Sequence, residues 1–175
     1  MFDATRRLIT LAMSMLLAVG GARLPAMASV EAAPAAMAAN PSFLGQWQLD
    51  LSRMPSDYGT LPQRVVYTFE DAGSGEWRTK IDITMADGGA RHVAVRYRRD
   101  GRVAQSEGDT AEGERAALSS PAADVLVMSL AKDKALGSVR VYTLSADGRE
   151  MTESAANVDE GGMPFVRTFH FRRIG

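Results

Sequence analysis

Aromatic side chains recur at alternate positions in several short stretches of this chain. They are Trp47, Tyr67 and Phe69, Trp77, Tyr97, and then Phe165, Phe169 and Phe171. In extended backbone, residues two apart share a face, so these rings fall on one inward side together with Ile81 and Ile83. Rings gathered this way can wall a pocket for an apolar or amphipathic small molecule. They can equally fill a small interior by packing on one another. Arg167 shares the inward parity of Phe165 and Phe169. A guanidinium there suits a carboxylate head group through a charge-assisted pair, or else snorkels to the rim or meets an internal acid. The candidate ligand-contacting set is therefore Tyr67, Phe69, Trp77, Ile81, Ile83, Tyr97, Phe165, Arg167 and Phe169.

Other chemistry is poorly supplied. The chain has no cysteine, which excludes disulfides, thiolate metal sites and a cysteine nucleophile. Its two histidines, His92 and His170, lie on outward parities of separate strands with no acid spaced to complete a metal site. No metal and no cofactor are expected. There is no Gly-x-Ser-x-Gly elbow and no glycine-rich phosphate loop opening a helix. Asp82, Glu150 and Glu153 read as outward or near turns, on a solvated face. A net charge of −1 argues against nucleic acid as a bulk electrostatic partner.

The elements that must position these side chains are strands. At 46% hydrophobic and 23% charged residues the composition is that of an ordinary globular chain, which excludes wholesale disorder. Period-two alternation is clearest over Trp77 to Met85 and repeats over Trp47 to Leu51, Val65 to Phe69 and Val93 to Tyr97. Val139 to Leu144 and Phe165 to Arg173 also read as strands. Weaker stretches are Val103 to Ser106, Arg115 to Ser119, Val125 to Leu130 and Glu150 to Ala156. Turn residues separate them at Asp71 to Gly75, Asp87-Gly88-Gly89, Asp100-Gly101, Asp147-Gly148 and Gly161-Gly162. Connections this short permit only antiparallel neighbours. The expected fold is all-β, an up-and-down meander of eight to ten strands closed into a barrel, with a two-sheet sandwich as the alternative.

The N-terminus reads as an export signal over residues 1–28. Arg6 and Arg7 precede an apolar run from Leu8 to Ala22, and Ala26-Met27-Ala28 is a small-x-small cleavage site. Residues 29–41, rich in Ala and interrupted by Pro34 and Pro41, read as a flexible tether. Residues 42–175 form the single barrel domain. The expected location is periplasmic or secreted, in a bacterial envelope, with no membrane-spanning segment after cleavage.

Phe43-Leu44-Gly45-Gln46-Trp47-Gln48-Leu49 resembles the opening of calycins, the group that holds lipocalins, fatty-acid-binding proteins and avidins. In that group a Gly-x-Trp begins the first strand, and a basic residue near the end of the last strand packs across the tryptophan. The resemblance implies that Gly45, Trp47 and Arg173 (or Arg172) build a structural barrel end. It extends to the order of hairpins from Gly45 to Arg173, and more narrowly to small exported bacterial lipocalin-like proteins. It departs at Met54 to Gln63, which lacks the helical pair of fatty-acid-binding proteins.

One surface feature is less routine. A regular hairpin at Asp87-Gly88-Gly89 would set Arg78 opposite Arg98 and Lys80 opposite Arg96, all outward. Like charges in cross-strand pairs are unfavourable. Glu107 on the following strand, or an anionic envelope component, would have to compensate. The leading function is a non-enzymatic barrel that binds a small apolar or amphipathic molecule. A filled barrel acting as an envelope interaction module through the Arg78, Lys80, Arg96 and Arg98 face ranks second. An enzyme ranks third, because no catalytic constellation is recognisable.

Overall fold

Hairpin turns leave little choice of topology. The computed structural model, which describes residues 42–175, carries ten strands: β1 (Gly45–Leu49), β2 (Arg64–Gly73), β3 (Glu76–Thr84), β4 (Ala90–Arg98), β5 (Asp100–Gly108), β6 (Arg115–Ala122), β7 (Val125–Lys132), β8 (Ala135–Leu144), β9 (Glu150–Val158) and β10 (Pro164–Arg173). The export segment and the tether expected over residues 1–41 lie outside the described residues. Each strand pairs antiparallel with the next, and β10 returns to β1. The sheet is therefore a closed barrel rather than a sandwich, and closure removes most of its edge, leaving the first part of β10 unpaired by β1. Such a barrel is consistent with a calycin-like fold. Among the described residues no helix is long and apolar enough to cross a membrane.

The β3–β4 register differs from expectation by two residues. The turn is centred on Asp87, because Gly88, at φ +86°, donates its N–H to the Met85 carbonyl, and Met85 still pairs with Gly89. Arg78 consequently faces Arg96, while Arg98 faces Glu76 and Lys80 faces Ala94.

One end of the barrel is packed solid. Trp47 and Arg173 are direct cross-strand partners, as are Trp47 and Tyr67. Trp47 is fully buried among Phe43, Phe69, Leu118, Leu126, Tyr142 and Met151, and its indole N–H donates to the Phe43 carbonyl at 2.7 Å. The Arg173 guanidinium carbon stands 4.2 Å from the Trp47 ring centroid. Arg99, in the β4–β5 turn, covers Trp77 in the same way at 3.8 Å. Gly45 permits this closure: at φ +122°, a Cβ there would meet the Gly175 carbonyl oxygen at 2.6 Å and Arg173 Nη1 at 2.7 Å.

The other end is looser because β1 is short. Only Phe171 to Arg173 of β10 pair with β1, whereas β10 pairs with β9 along nearly its whole length. After Leu49 the chain leaves the sheet through a 3-10 turn, Leu51–Arg53. The following connection lies against the unpaired side of β10. Tyr58 meets Phe169 edge-on at 5.8 Å, and Asp57 pairs with Arg167 at 3.2 Å.

Candidate functional site

The inward positions divide by level along the barrel axis. Above the packed end lies a cavity of about 530 Å³. Its floor is Tyr67 and Phe171, and its apolar wall includes Ile81, Ile83, Val93 and Val95 from β3 and β4. Met128 and Leu130 continue the wall on β7. Phe165, Phe169 and Arg167 stand on β10, and Tyr58 stands at the mouth. Of the sequence-predicted set, Tyr67, Ile81, Ile83, Phe165, Arg167 and Phe169 meet in this one space. Phe69, Trp77 and Tyr97 point inward but lie at the packed end and do not line it. Tyr97 is committed there, its hydroxyl 2.9 Å from Thr79 Oγ1 and its pKa pushed up by burial to about 12. The interior is thus both filled and hollow, at different levels.

The cavity also contains charge. Glu153, expected on a solvated face, is 2% exposed and lines the cavity. The correction follows from parity: Glu153 lies two residues from Met151, which is fully buried, so β9 turns both inward. Arg140 reaches it from β8, with Nη1 3.4 Å from Glu153 Oε1. The same guanidinium donates through Nη2 to Glu112, on the β5–β6 connection, and makes longer contacts with Tyr67 Oη at 3.5 Å and Ser138 Oγ at 3.4 Å. Burial raises the Glu153 pKa, with the Arg140 charge and the Tyr67 hydroxyl opposing it. Burial also raises Tyr67 and Tyr142 well above the ordinary tyrosine value, with Glu153 adding to it, so both phenols stay protonated.

The mouth is framed by a second pair. Arg91 shares the inward parity of Val93 and Val95, and grips Asp109 with two bonds, Nε to Oδ2 at 2.5 Å and Nη2 to Oδ1 at 3.2 Å. That contact lowers the Asp109 pKa. Asp109 and Glu112 belong to the β5–β6 connection, which these two arginines draw over the opening. Lys132 fixes the same segment by donating to the Ala111 carbonyl at 3.0 Å.

Arg167 lines the mouth, but its charge is engaged by Asp57, and its guanidinium carbon sits 4.9 Å from the Phe165 ring centroid. The outer set is similarly engaged. Arg78 pairs with Glu107 at 3.4 Å, Lys80 with Glu70 at 2.7 Å, and Arg96 and Arg98 with Glu76 at 2.7 and 3.7 Å. That face alternates charge rather than presenting a basic patch. His92 is exposed and meets Asp82 at 2.6 Å. Glu150 is exposed on the surface beside Arg53.

Sequence reasoning missed Tyr58, Arg91, Asp109, Glu112, Arg140 and Glu153. Arg140 carried a usable signal, since it alternates with Tyr142 and Leu144. Glu112 and Asp109 carried none, because a connection has no periodicity. No known protein-family model matches the chain, and no curated protein matches it.

Proposed function

We propose that this protein is an exported, non-enzymatic barrel that binds one small apolar or amphipathic molecule in its interior. The observation that carries this function is the cavity of about 530 Å³, walled by aliphatic and aromatic side chains and holding a few convergent polar groups. A volume of a few hundred Å³ with that lining is typical of small-molecule sites. Burying the ligand's apolar surface supplies the driving force, at roughly 25 cal/mol per Å² before association costs. The calycin-like opening at Gly45 and Trp47 supports the same function, as does the signal-like segment at residues 1–28.

Saturable binding of a neutral, polarity-sensitive naphthylamine dye tests it. One dye per chain is expected, lost in Ile81→Trp, which fills the cavity wall. Dye binding that fails to saturate, or that survives Ile81→Trp in a folded variant, would overturn the proposal. N-terminal sequencing of the protein recovered outside the bacterial cytoplasm tests export, with Ser29 as the expected first residue.

A further inference from the structure

The charged groups that border the cavity are paired to different degrees. Its lining carries four cationic side chains, Arg91, Lys132, Arg140 and Arg167, against three anionic ones, Asp109, Glu112 and Glu153. Arg91 is held by Asp109 in a two-bond grip. Arg140 and Glu153 are a balanced buried pair, with Glu112 added from the exposed side. Lys132 is exposed at the rim and bonds a backbone carbonyl. Arg167 is held less completely. Both of its hydrogen bonds run through Nη2 to Asp57, at 3.2 Å on Oδ2 and 3.5 Å on the backbone carbonyl. Asp57 is 71% exposed and borders an outer groove with Arg53 and Val166, not the cavity. Arg167 Nε is shielded from solvent and has no partner. Among the described residues it is the one such atom on a residue that lines the cavity.

We infer that the cavity selects a molecule with an anionic head, a carboxylate on an apolar body, and seats that head at the mouth on Arg167. This rests on the small-molecule function proposed above. An unpaired buried donor is costly, and an acceptor brought to it recovers that cost. A guanidinium fork takes a carboxylate through two parallel bonds. Asp57, reaching one nitrogen from outside, leaves that geometry unused. The Phe165 and Tyr58 ring centroids stand 4.9 and 5.8 Å from the guanidinium carbon. Such apolar neighbours lower the local dielectric and strengthen a charged hydrogen bond. The inner pair decides which way the molecule lies. A carboxylate carried down to Arg140 would meet Glu153 beside it, and like charges at low dielectric are strongly disfavoured. The apolar body therefore points inward, along Ile81 and Leu130 toward Tyr67 and Phe171. An ammonium head would meet a lining with one cation in excess.

Titration calorimetry of the full chain with decanoate, decanol and decylamine, each below its aggregation concentration and near neutral pH, tests the inference. The apolar tail is constant, so the head group alone varies. Decanoate is expected to bind at least about tenfold more tightly than decanol, with decylamine weakest. Arg167→Gln should bring decanoate down to the affinity of decanol. Asp57→Asn, a change on the exposed connection, should free Arg167 and strengthen decanoate about two- to fivefold while leaving decanol unchanged. Decanol or decylamine binding as tightly as decanoate overturns the head-group selectivity and leaves the cavity function standing. A preference for decanoate that folded Arg167→Gln retains, or decanoate binding that Asp57→Asn weakens, overturns the assignment to Arg167. Binding of none of the three removes the cavity function itself and the selectivity with it.

Discussion

The Arg173 guanidinium covers the buried indole of Trp47 and donates to three backbone carbonyls, those of Ser42, Leu44 and Gly148. It therefore ties the segment before β1, the start of β1 and the β8–β9 turn to the last strand. The pair is a structural plug and lies at the opposite end from the cavity mouth. Trp47→Ala should cost about 3–5 kcal/mol of stability in chemical denaturation. Arg173→Met should cost about 1–3 kcal/mol, because it leaves those carbonyls without their donor. A loss under about 1 kcal/mol in Trp47→Ala would mean that the end is not packed as described.

Gly45 is needed for the same closure. Gly45→Ala places a methyl group against the Gly175 carbonyl and the Arg173 side chain, at a positive φ that alanine resists. Destabilisation of about 1–3 kcal/mol is expected by urea denaturation, with loss of the tryptophan near-ultraviolet dichroism.

Arg140 and Glu153 should behave as a coupled pair. Arg140→Met strands Glu153 in the interior and is expected to cost about 3–5 kcal/mol. Adding Glu153→Gln should restore much of that loss, since the stranded charge is then gone. A double-mutant cycle in denaturant measures the coupling, and simple additivity would show that the two side chains act independently.

The pH response of Glu153 has a definite sign. Burial raises its native pKa above the ordinary 4.5, so the native state holds the proton more tightly than the unfolded chain. Its contribution is most favourable below the unfolded pKa and declines as pH rises through the raised native value. Asp50, Asp109 and Asp147 work in the opposite sense. Their pKa values are lowered, chiefly by hydrogen bonds from Ser52, Arg91 and Ser145, and their contributions fade in acid. Comparing the chain with Glu153→Gln isolates the first effect. The stability difference should move in favour of Gln as pH rises above 4.5 and then level off. A difference that is flat across that range would place Glu153 in a solvated setting.

The hairpins were legible because both of their signals are local. Alternation marks Val65 to Phe69, Trp77 to Met85 and Val93 to Tyr97, and glycine-bearing turns separate them. The Trp47–Arg173 contact was also legible, since antiparallel closure sets the start of β1 level with the end of β10. The cavity was not. Whether Tyr67 or Trp77 faces open space depends on its height along the axis, which registers and connections decide together. The two-residue difference in the β3–β4 register came from a turn centred on Asp87 rather than Gly88. Glu153 was missed because β9 is rich in small and polar residues on both faces. Its inward side, with Met151, Glu153, Ala155 and Asn157, looks no more apolar than its outward side.

The shortness of β1 has a kinetic consequence. Beside the cavity, the upper half of β10 is held by β9 on one flank and, on the other, by the Met54 to Gln63 connection through Asp57 and Tyr58. Displacing an exposed ion pair and an edge-on ring requires far less than parting a strand ladder. That flank is therefore the part of the barrel wall that yields at least cost. A guest leaving through it would be released at a rate set by the Asp57–Arg167 latch, faster in high salt, while the depth of the cavity continued to set how tightly it is held.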